Sequence, residues 1–381
     1  MSTEHSKRAA KFTADVEKTT WHDATFWSVR QKRDKMAHEL PEWEDLRELA
    51  SEIKMHTITH LADYLDVFSK NLESRGVKVH WAKDAQEFNE IVLGILNDHH
   101  VKKMVKSKSM LTEECEMNPY LEKHGIDVVE TDLGERIIQL LGQKPSHIVM
   151  PAIHLKREEV GKMFEEKGIS KEIGNYDPTY LTRCARHHLR NQFMEAGAGM
   201  TGCNFGVAET GDCVVCTNEG NADMTTSMPK LHIVAMGIEK LVPDYKSLAV
   251  FQRLLCRCGT GQPTTAFTSH FRQARPGAEM HVVLVDNGRS DILADKDHWQ
   301  TLKCMRCGAC MNTCPVYRRS GGYSYTYFIP GPVGVNLGML KNPQKYADNV
   351  SACTLCLSCD NVCPSKVGPG SQIYVWRQSL D

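Results

Sequence analysis

Two hydrophobic rhythms alternate between about His56 and Asp295. In AQEFNEIVLGILND, Phe88, Ile91, Val92, Ile95 and Leu96 fall at i, i+3, i+4, i+7 and i+8, one apolar face of a helix. LTRCARHHLRNQFMEA repeats that rhythm with Leu181, Cys184, Ala185, His188 and Leu189. The stretches VKVHWA, HIVMPA, DCVVCT, LHIVAMG and HVVLVD are short, β-branched and bounded by turn formers, which predicts strands buried in a sheet. Helices alternating with such strands predict a layered α/β domain. Ahead of it, from about Lys11 to Glu52, charged helix formers surround Trp21, Trp27 and Trp43, the pattern of a helical arm packed on another surface. Behind it, SGGYSYTYFIPGPVGVNLGML carries no amphipathic period for most of its length and is expected to be an ordered loop. The expected organisation is a helical arm over 1–55, an α/β domain over 56–295 and a cysteine-rich, ferredoxin-like domain over 296–381.

The chain has 381 residues, enough for two or more domains. Its formal net charge is -1, from 46 basic and 47 acidic residues, so no global field draws it to nucleic acid or to an anionic membrane. No window approaches the roughly 18 apolar residues of a membrane span, and MSTEHSKRAAKF has no signal-peptide core behind it. A cytoplasmic chain is expected, peripheral to a membrane only through partners. Of the fifteen cysteines, eight fall in two short clusters, which in a reducing compartment points to metal and not to a disulfide framework.

The clusters read CMRCGACMNTCP and CTLCLSCDNVCP, both C-x2-C-x2-C-x3-C-P, and each cysteine of the second lies 49 positions after its counterpart. Three thiolates two residues apart on a tight turn can each reach a different iron of a cubane, and in two-cluster ferredoxins the cysteine before proline ligates the other cluster. The expected ligands are Cys304, Cys307, Cys310 and Cys363 for one 4Fe-4S cluster, and Cys353, Cys356, Cys359 and Cys314 for the other. Structural zinc favours paired C-x2-C knuckles and has no use for the third cysteine at the same step. All-cysteine clusters leave no open iron for substrate, so they carry electrons for chemistry performed elsewhere. The 38 residues between Cys314 and Cys353 exceed what a compact ferredoxin needs and favour the helical type. Lys303 and Arg306 are expected to form a solvated basic face; tuning of the nearer cluster is the other reading.

Other chemistry-bearing residues are more ambiguous. In DCVVCT the pair Cys213 and Cys216 lies on a strand with its thiols on opposite faces, so two buried structural cysteines are expected. Cys256 and Cys258 have no further ligand nearby in sequence, and the adjacent pairs His99-His100 and His187-His188 cannot share one ion from a helix. Ser107 and Lys108 follow a strand where α/β domains place binding loops, which suits a ligand carboxylate or phosphate, or else a solvated turn. Glu209, Thr210, Asn218, Glu219 and Asn221 flank another strand; they suit either a pocket rim, with Glu209 or Glu219 as an acid, base or nucleophile, or simple turn chemistry. The run GAGMTG holds G-x-G-x-x-G, but a helix precedes it and the strand-like CNFGVAET follows, the reverse of the dinucleotide-binding order. No dinucleotide is expected there; the glycines are expected to form a tight helix-to-strand connection, and the open question is whether Asn204 and Glu209 line a pocket for an organic acid.

With KVHWA, KSKSMLTEE, ETDLGERIIQL, PSHIVMPAIH, TGCNFGVAETG, TNEGN, MGIEKLVP, HVVLVDNGRS and the two cysteine motifs in this order, the chain resembles the B-type lactate-utilisation iron-sulfur proteins from about His56 to Pro364. The resemblance implies a LUD domain similar to the sugar-phosphate isomerase and CoA-transferase α/β fold, followed by a two-cluster helical ferredoxin. It implies a subunit of a flavin-independent complex that oxidises L-lactate to pyruvate and passes electrons to a downstream acceptor. Its implied partners are a cysteine-rich A-type subunit related to heterodisulfide reductase and a C-type LUD subunit. Members of that family usually continue well past the second motif, whereas this sequence stops eighteen residues after Cys363, which leaves open the docking surface the longer tail supplies. Two other readings stay open: an α/β-domain enzyme acting on a carboxylate or CoA-type substrate, and a redox-sensing scaffold without activity.

Overall fold

A computed structural model describes residues 3–380. Its ten strands are β1 (Lys78–Ala82), β2 (Lys103–Lys106), β3 (Asp127–Glu130), β4 (Ala198–Thr201), β5 (Phe205–Val207), β6 (Asp212–Thr217), β7 (Leu231–Gly237), β8 (Leu241–Val242), β9 (Phe267–Phe271) and β10 (Glu279–Val285). Six of them form a wholly parallel sheet in the order β1-β10-β7-β4-β2-β3. The other four form a smaller sheet, β8-β5-β6-β9, in which β6 runs antiparallel to both neighbours. The mixed α/β class expected from the hydrophobic rhythm is the one observed.

The helix Ala85–Asp98 shows why its sequence folds locally. Asp84 caps it by accepting from the Glu87 N–H at 2.9 Å, Glu87 returns a bond from the Lys83 N–H at 2.7 Å, and Phe88, Val92, Ile95 and Leu96 are buried against the large sheet. Each such side chain contributes roughly 1.5–3 kcal/mol of burial. The helix Pro178–Glu195 starts behind an Asp177 cap with proline in its first turn and buries Leu181, Ala185, Leu189 and Phe193.

Three expectations change. HIVMPA is not a strand: residues 147–152 form turns, held by the His147 ring, whose Nδ1 accepts from the N–H groups of Val149 (3.1 Å) and Met150 (3.0 Å). The second half of the supposed loop is a helix, Gly331–Lys341. Its residues 331–339 are all buried, so it has no polar face from which a period could be read. The glycine run is a strand as much as a connection: Gly199 sits inside β4, where a Cβ would stand 1.8 Å from the Thr225 carbonyl oxygen, and only glycine admits that approach.

The N-terminal helices, Glu4–Thr13, Val16–His38 and Trp43–Thr59, wrap the cysteine-rich tail. Arg33 Nη2 donates to the Val362 carbonyl at 3.1 Å, and Arg47 Nε donates to the Cys363 carbonyl at 3.0 Å. Phe26 packs on Tyr317 and His147. Trp43 is buried beneath the Arg33 guanidinium, whereas Trp27 is largely exposed under Arg318.

Candidate functional site

The two cysteine motifs fold as the same turn twice. In the first, the Arg306 N–H donates to Cys304 Sγ at 3.4 Å; Arg306 (φ 63°) and Gly308 (φ 78°) are left-handed, and the helix Ala309–Thr313 follows. In the second, the Leu355 N–H donates to Cys353 Sγ at 3.4 Å; Leu355 (φ 55°) and Leu357 (φ 55°) are left-handed, and the helix Ser358–Val362 follows. Non-glycine residues held in this conformation cost free energy and persist where the surroundings require it; here the turn aims backbone N–H groups at thiol sulfurs. Cys304, Cys307, Cys310 and Cys363 line one small cavity, closed by Ile148, Val333, Val367 and Pro369. Cys310 interacts electrostatically with Cys304, Cys307 and Cys363, and Cys314 with Cys353 and Cys356, while Cys359 lies within reach of both Cys310 and Cys314. These donors, with N–H groups on their sulfurs and an apolar surround, fit two adjacent 4Fe-4S clusters.

A larger cavity, about 390 Å³, adjoins the first, and Cys307 stands in the wall of both. It opens at the carboxyl ends of the parallel strands: Ser107 follows β2, Asp132 follows β3, Gly202 follows β4 and Glu239 follows β7. From β2 the chain adds β3 on one side, and β4, β7 and β10 on the other, so the neighbours β2 and β4 mark the reversal point where open α/β sheets bind ligands.

Charge in this cavity is divided. Arg289 is buried and bidentate to Glu114, with Nη1 and Nη2 each 3.0 Å from a carboxylate oxygen, while its Nε donates to Glu239 Oε2 at 2.5 Å. Burial alone would raise Glu239, but Arg289, Lys240 and Arg306 outweigh it and hold the group at about 2. Lys108 Nζ donates to the Val149 carbonyl at 2.8 Å and lies 3.8 Å from Glu135. Glu219 accepts from the Leu133 N–H at 3.3 Å; burial, with the negative charge of Asp132, pushes it up to about 7, so it exchanges a proton near neutral pH.

Of the residues singled out by sequence, Ser107, Lys108, Asn204, Asn218, Glu219 and Asn221 line the cavity. Glu209 does not: it is exposed in the β5–β6 turn, where its backbone bonds to Pro243 and Asn71, so it is no partner of Glu219. Lys303 is buried, with Nζ bonded to Ser51 Oγ at 3.0 Å, and Arg306 lines the cavity, so neither belongs to a solvated face. Cys256 and Cys258 lie in the last turn of the helix Tyr245–Gly259; Cys256 reaches the cavity, and Cys258 is buried beside Cys307. Cys213 and Cys216 enter different apolar clusters, as their strand spacing requires, and burial pushes the Cys216 thiol up to about 12. Sequence reasoning missed Glu114, Glu239, Lys240 and Arg289. The last three lie in MGIEKLVP and HVVLVDNGRS, but only folding brings those segments together. At the other end of the sheet, His281 (2.7 Å) and His99 (3.3 Å) share one oxygen of Glu279; Lys78 occupies the same oxygen at 2.5 Å, and the network is closed on itself.

Comparison with known proteins agrees with this anatomy. The family described as LUD domain matches residues 65–290, and the 4Fe-4S dicluster domain matches residues 300–367. The chain is 42% identical over 348 residues to lactate utilization protein B of Macrococcus caseolyticus, covering 89% of this chain and 72% of that one. It is 43% identical over 357 residues to the protein of the same name from Bacillus pumilus (92% and 75% covered) and 43% identical over 354 residues to that of Bacillus cytotoxicus (91% and 74% covered).

Proposed function

The chain belongs to the lactate utilization B family, a LUD domain joined to a 4Fe-4S dicluster domain, and from that premise we propose that it is the iron-sulfur electron-transfer subunit of a complex oxidising L-lactate to pyruvate. The observation that carries this reading is Cys307, which stands between the four-cysteine cavity and the 390 Å³ cavity at the strand ends. Oxidation of a 2-hydroxy acid breaks an O–H and a Cα–H bond, forms a C=O bond and releases two protons and two electrons. The two 4Fe-4S clusters, when bound, supply one-electron carriers. We assign Cys304, Cys307, Cys310 and Cys363 to one and Cys353, Cys356, Cys359 and Cys314 to the other. A-type and C-type lactate-utilisation subunits are the proposed partners. Among the described residues no helix is long and apolar enough to cross a membrane.

A second reading, that the LUD domain itself acts on a carboxylate, is favoured by one feature: Glu219, poised at about 7, in a cavity that also holds Lys240 and Arg306. The test of the main reading is anaerobic co-purification with native partners, followed by electron paramagnetic resonance before and after L-lactate. Reduction of the clusters only in the complete complex is expected. Intact clusters that stay oxidised there would overturn the proposal.

A further inference from the structure

We propose that this chain, and not a partner, holds the small carboxylate: a 2-hydroxy or 2-oxo monocarboxylic acid bound in the 390 Å³ cavity, its carboxylate between Lys240 and Arg306. The identity of the acid rests on the lactate reading; the site rests on geometry. Four cations line the cavity, and two are spoken for. Arg289 is paired with Glu114 and Glu239, and Lys108 with the Val149 carbonyl and Glu135. Among the described residues the other two make no side-chain hydrogen bond or ion pair. Arg306 Nη1 is shielded from solvent without a hydrogen-bond partner among the described residues, and the Lys240 ammonium meets its neighbours Glu239, Arg306, Cys304 and Arg289 only through space. A guanidinium N–H that is shielded from water and empty is costly unless something accepts from it. Ser107 Oγ, buried in the same wall, also lacks a partner and offers a third hydrogen bond.

The count of charges chooses the ligand class. Over the whole wall the cations Lys108, Lys240, Arg289 and Arg306 face the carboxyls of Glu114, Asp132, Glu219 and Glu239; with Glu219 holding its proton the wall carries an excess of one positive charge, which a monoanion cancels. A dianion such as phosphate would bring a second negative charge into a cavity whose wall already carries Asp132 and Glu219. The cavity accepts a short acid with room for water, and it is large for an isolated ion. Arg306 also lies between Cys304 and Cys307 on the left-handed turn, so the group that would hold the acid rides on the backbone that presents the cluster thiols.

The alternative role for these cations is to balance the cluster's negative charge, and the experiment separates the two. The anaerobically reconstituted chain is titrated calorimetrically with pyruvate, with L-lactate and with inorganic phosphate, as wild type, Lys240→Met, Arg306→Gln and the conservative Arg306→Lys. Iron content and the paramagnetic spectrum report cluster integrity in each. Saturable binding of pyruvate to one site, weakened about tenfold or more in Lys240→Met and Arg306→Gln and partly restored in Arg306→Lys, with clusters intact, is expected. Wild type that binds no pyruvate, binding untouched by the substitutions, or phosphate binding that pyruvate does not displace would overturn the site. A complex reduced by L-lactate around a chain that binds no acid would place the substrate in a partner and leave the electron-transfer reading standing. A chain that binds pyruvate in a complex that lactate never reduces would do the reverse.

Discussion

Glu219 offers a pH-dependent signature that can be worked through. Burial, together with Asp132, pushes its carboxyl up to about 7, whereas an unfolded glutamate titrates near about 4.3. Because the folded value is the higher one, the folded chain keeps the proton between those values and gains stability from it. That stability is fully present below the unfolded value and is lost as pH rises through about 7. Between pH 6 and pH 8 the loss is about 1 kcal/mol, allowing for the group's partial exposure. Glu219→Gln preserves the shape and removes the titration. Relative to the variant, the wild-type unfolding midpoint should therefore fall by about 1–2 °C over that interval under anaerobic conditions. The wild-type-minus-Glu219→Gln infrared spectrum should show one protonated-carboxyl band that disappears as pH passes through 7, while the buried Glu135, pushed up to about 8, cancels between the two proteins. A wild type with no such band at pH 6, or a midpoint difference that is flat with pH, refutes the assignment of a neutral, buried acid to this wall.

Three further substitutions probe separate links. Arg289→Met leaves Glu114 and Glu239 buried without their counter-charge and should cost about 3–5 kcal/mol by urea denaturation at neutral pH, with part of the loss recovered by adding Glu239→Gln. Gly199→Ala drives a methyl into the Thr225 carbonyl and should cost about 1–3 kcal/mol or abolish soluble protein, whereas Gly197→Ala, which meets only the Val101 side chain at 3.2 Å, should be milder in the same thermal melt. Cys363→Ser should lose about half the iron and leave a surviving paramagnetic spectrum that matches Cys304→Ser and not Cys353→Ser. A match to Cys353→Ser would break the reciprocal ligand assignment.

What could be read from sequence was what repeats locally. The helix at Phe88 to Leu96 announces itself because one face meets the core and a period results, and the strand at DCVVCT because it is short, β-branched and bounded by turn formers. The cysteine turns announce themselves because the chemistry demands the same spacing twice, and the structure repeats even their left-handed residues. Elements buried on every side give no period, which hid the helix Gly331–Lys341 and half hid β4 inside a glycine run. Cavity residues were legible where one loop supplies several of them, as Ser107 with Lys108 and Asn218 with Glu219 do. Glu209 misled because turn chemistry selects the same polar residues as a pocket rim, and no spacing rule links Lys240 to Arg306.

The arm explains how the two halves share a wall. The cluster-binding turns pack on an apolar core that includes Met311, Tyr317, Val333 and Ile373, and polar ties from the arm add to it. Arg33 and Arg47 tie the carbonyls of Val362 and Cys363 to the arm, and Lys303 ties the first motif to Ser51. On the sheet side, Lys54 of the same arm is buried against the Glu239 and Leu241 carbonyls, directly after β7. One helix, Trp43–Thr59, thus grips the cysteine tail through Arg47 and Ser51 and the cavity floor through Lys54. Hydrogen bonds from buried charged groups are worth roughly 1.5–3 kcal/mol each, enough together to hold Cys307 at the cavity wall. The arm therefore acts as a clamp, setting the separation between the strand-end cavity and the first cysteine motif.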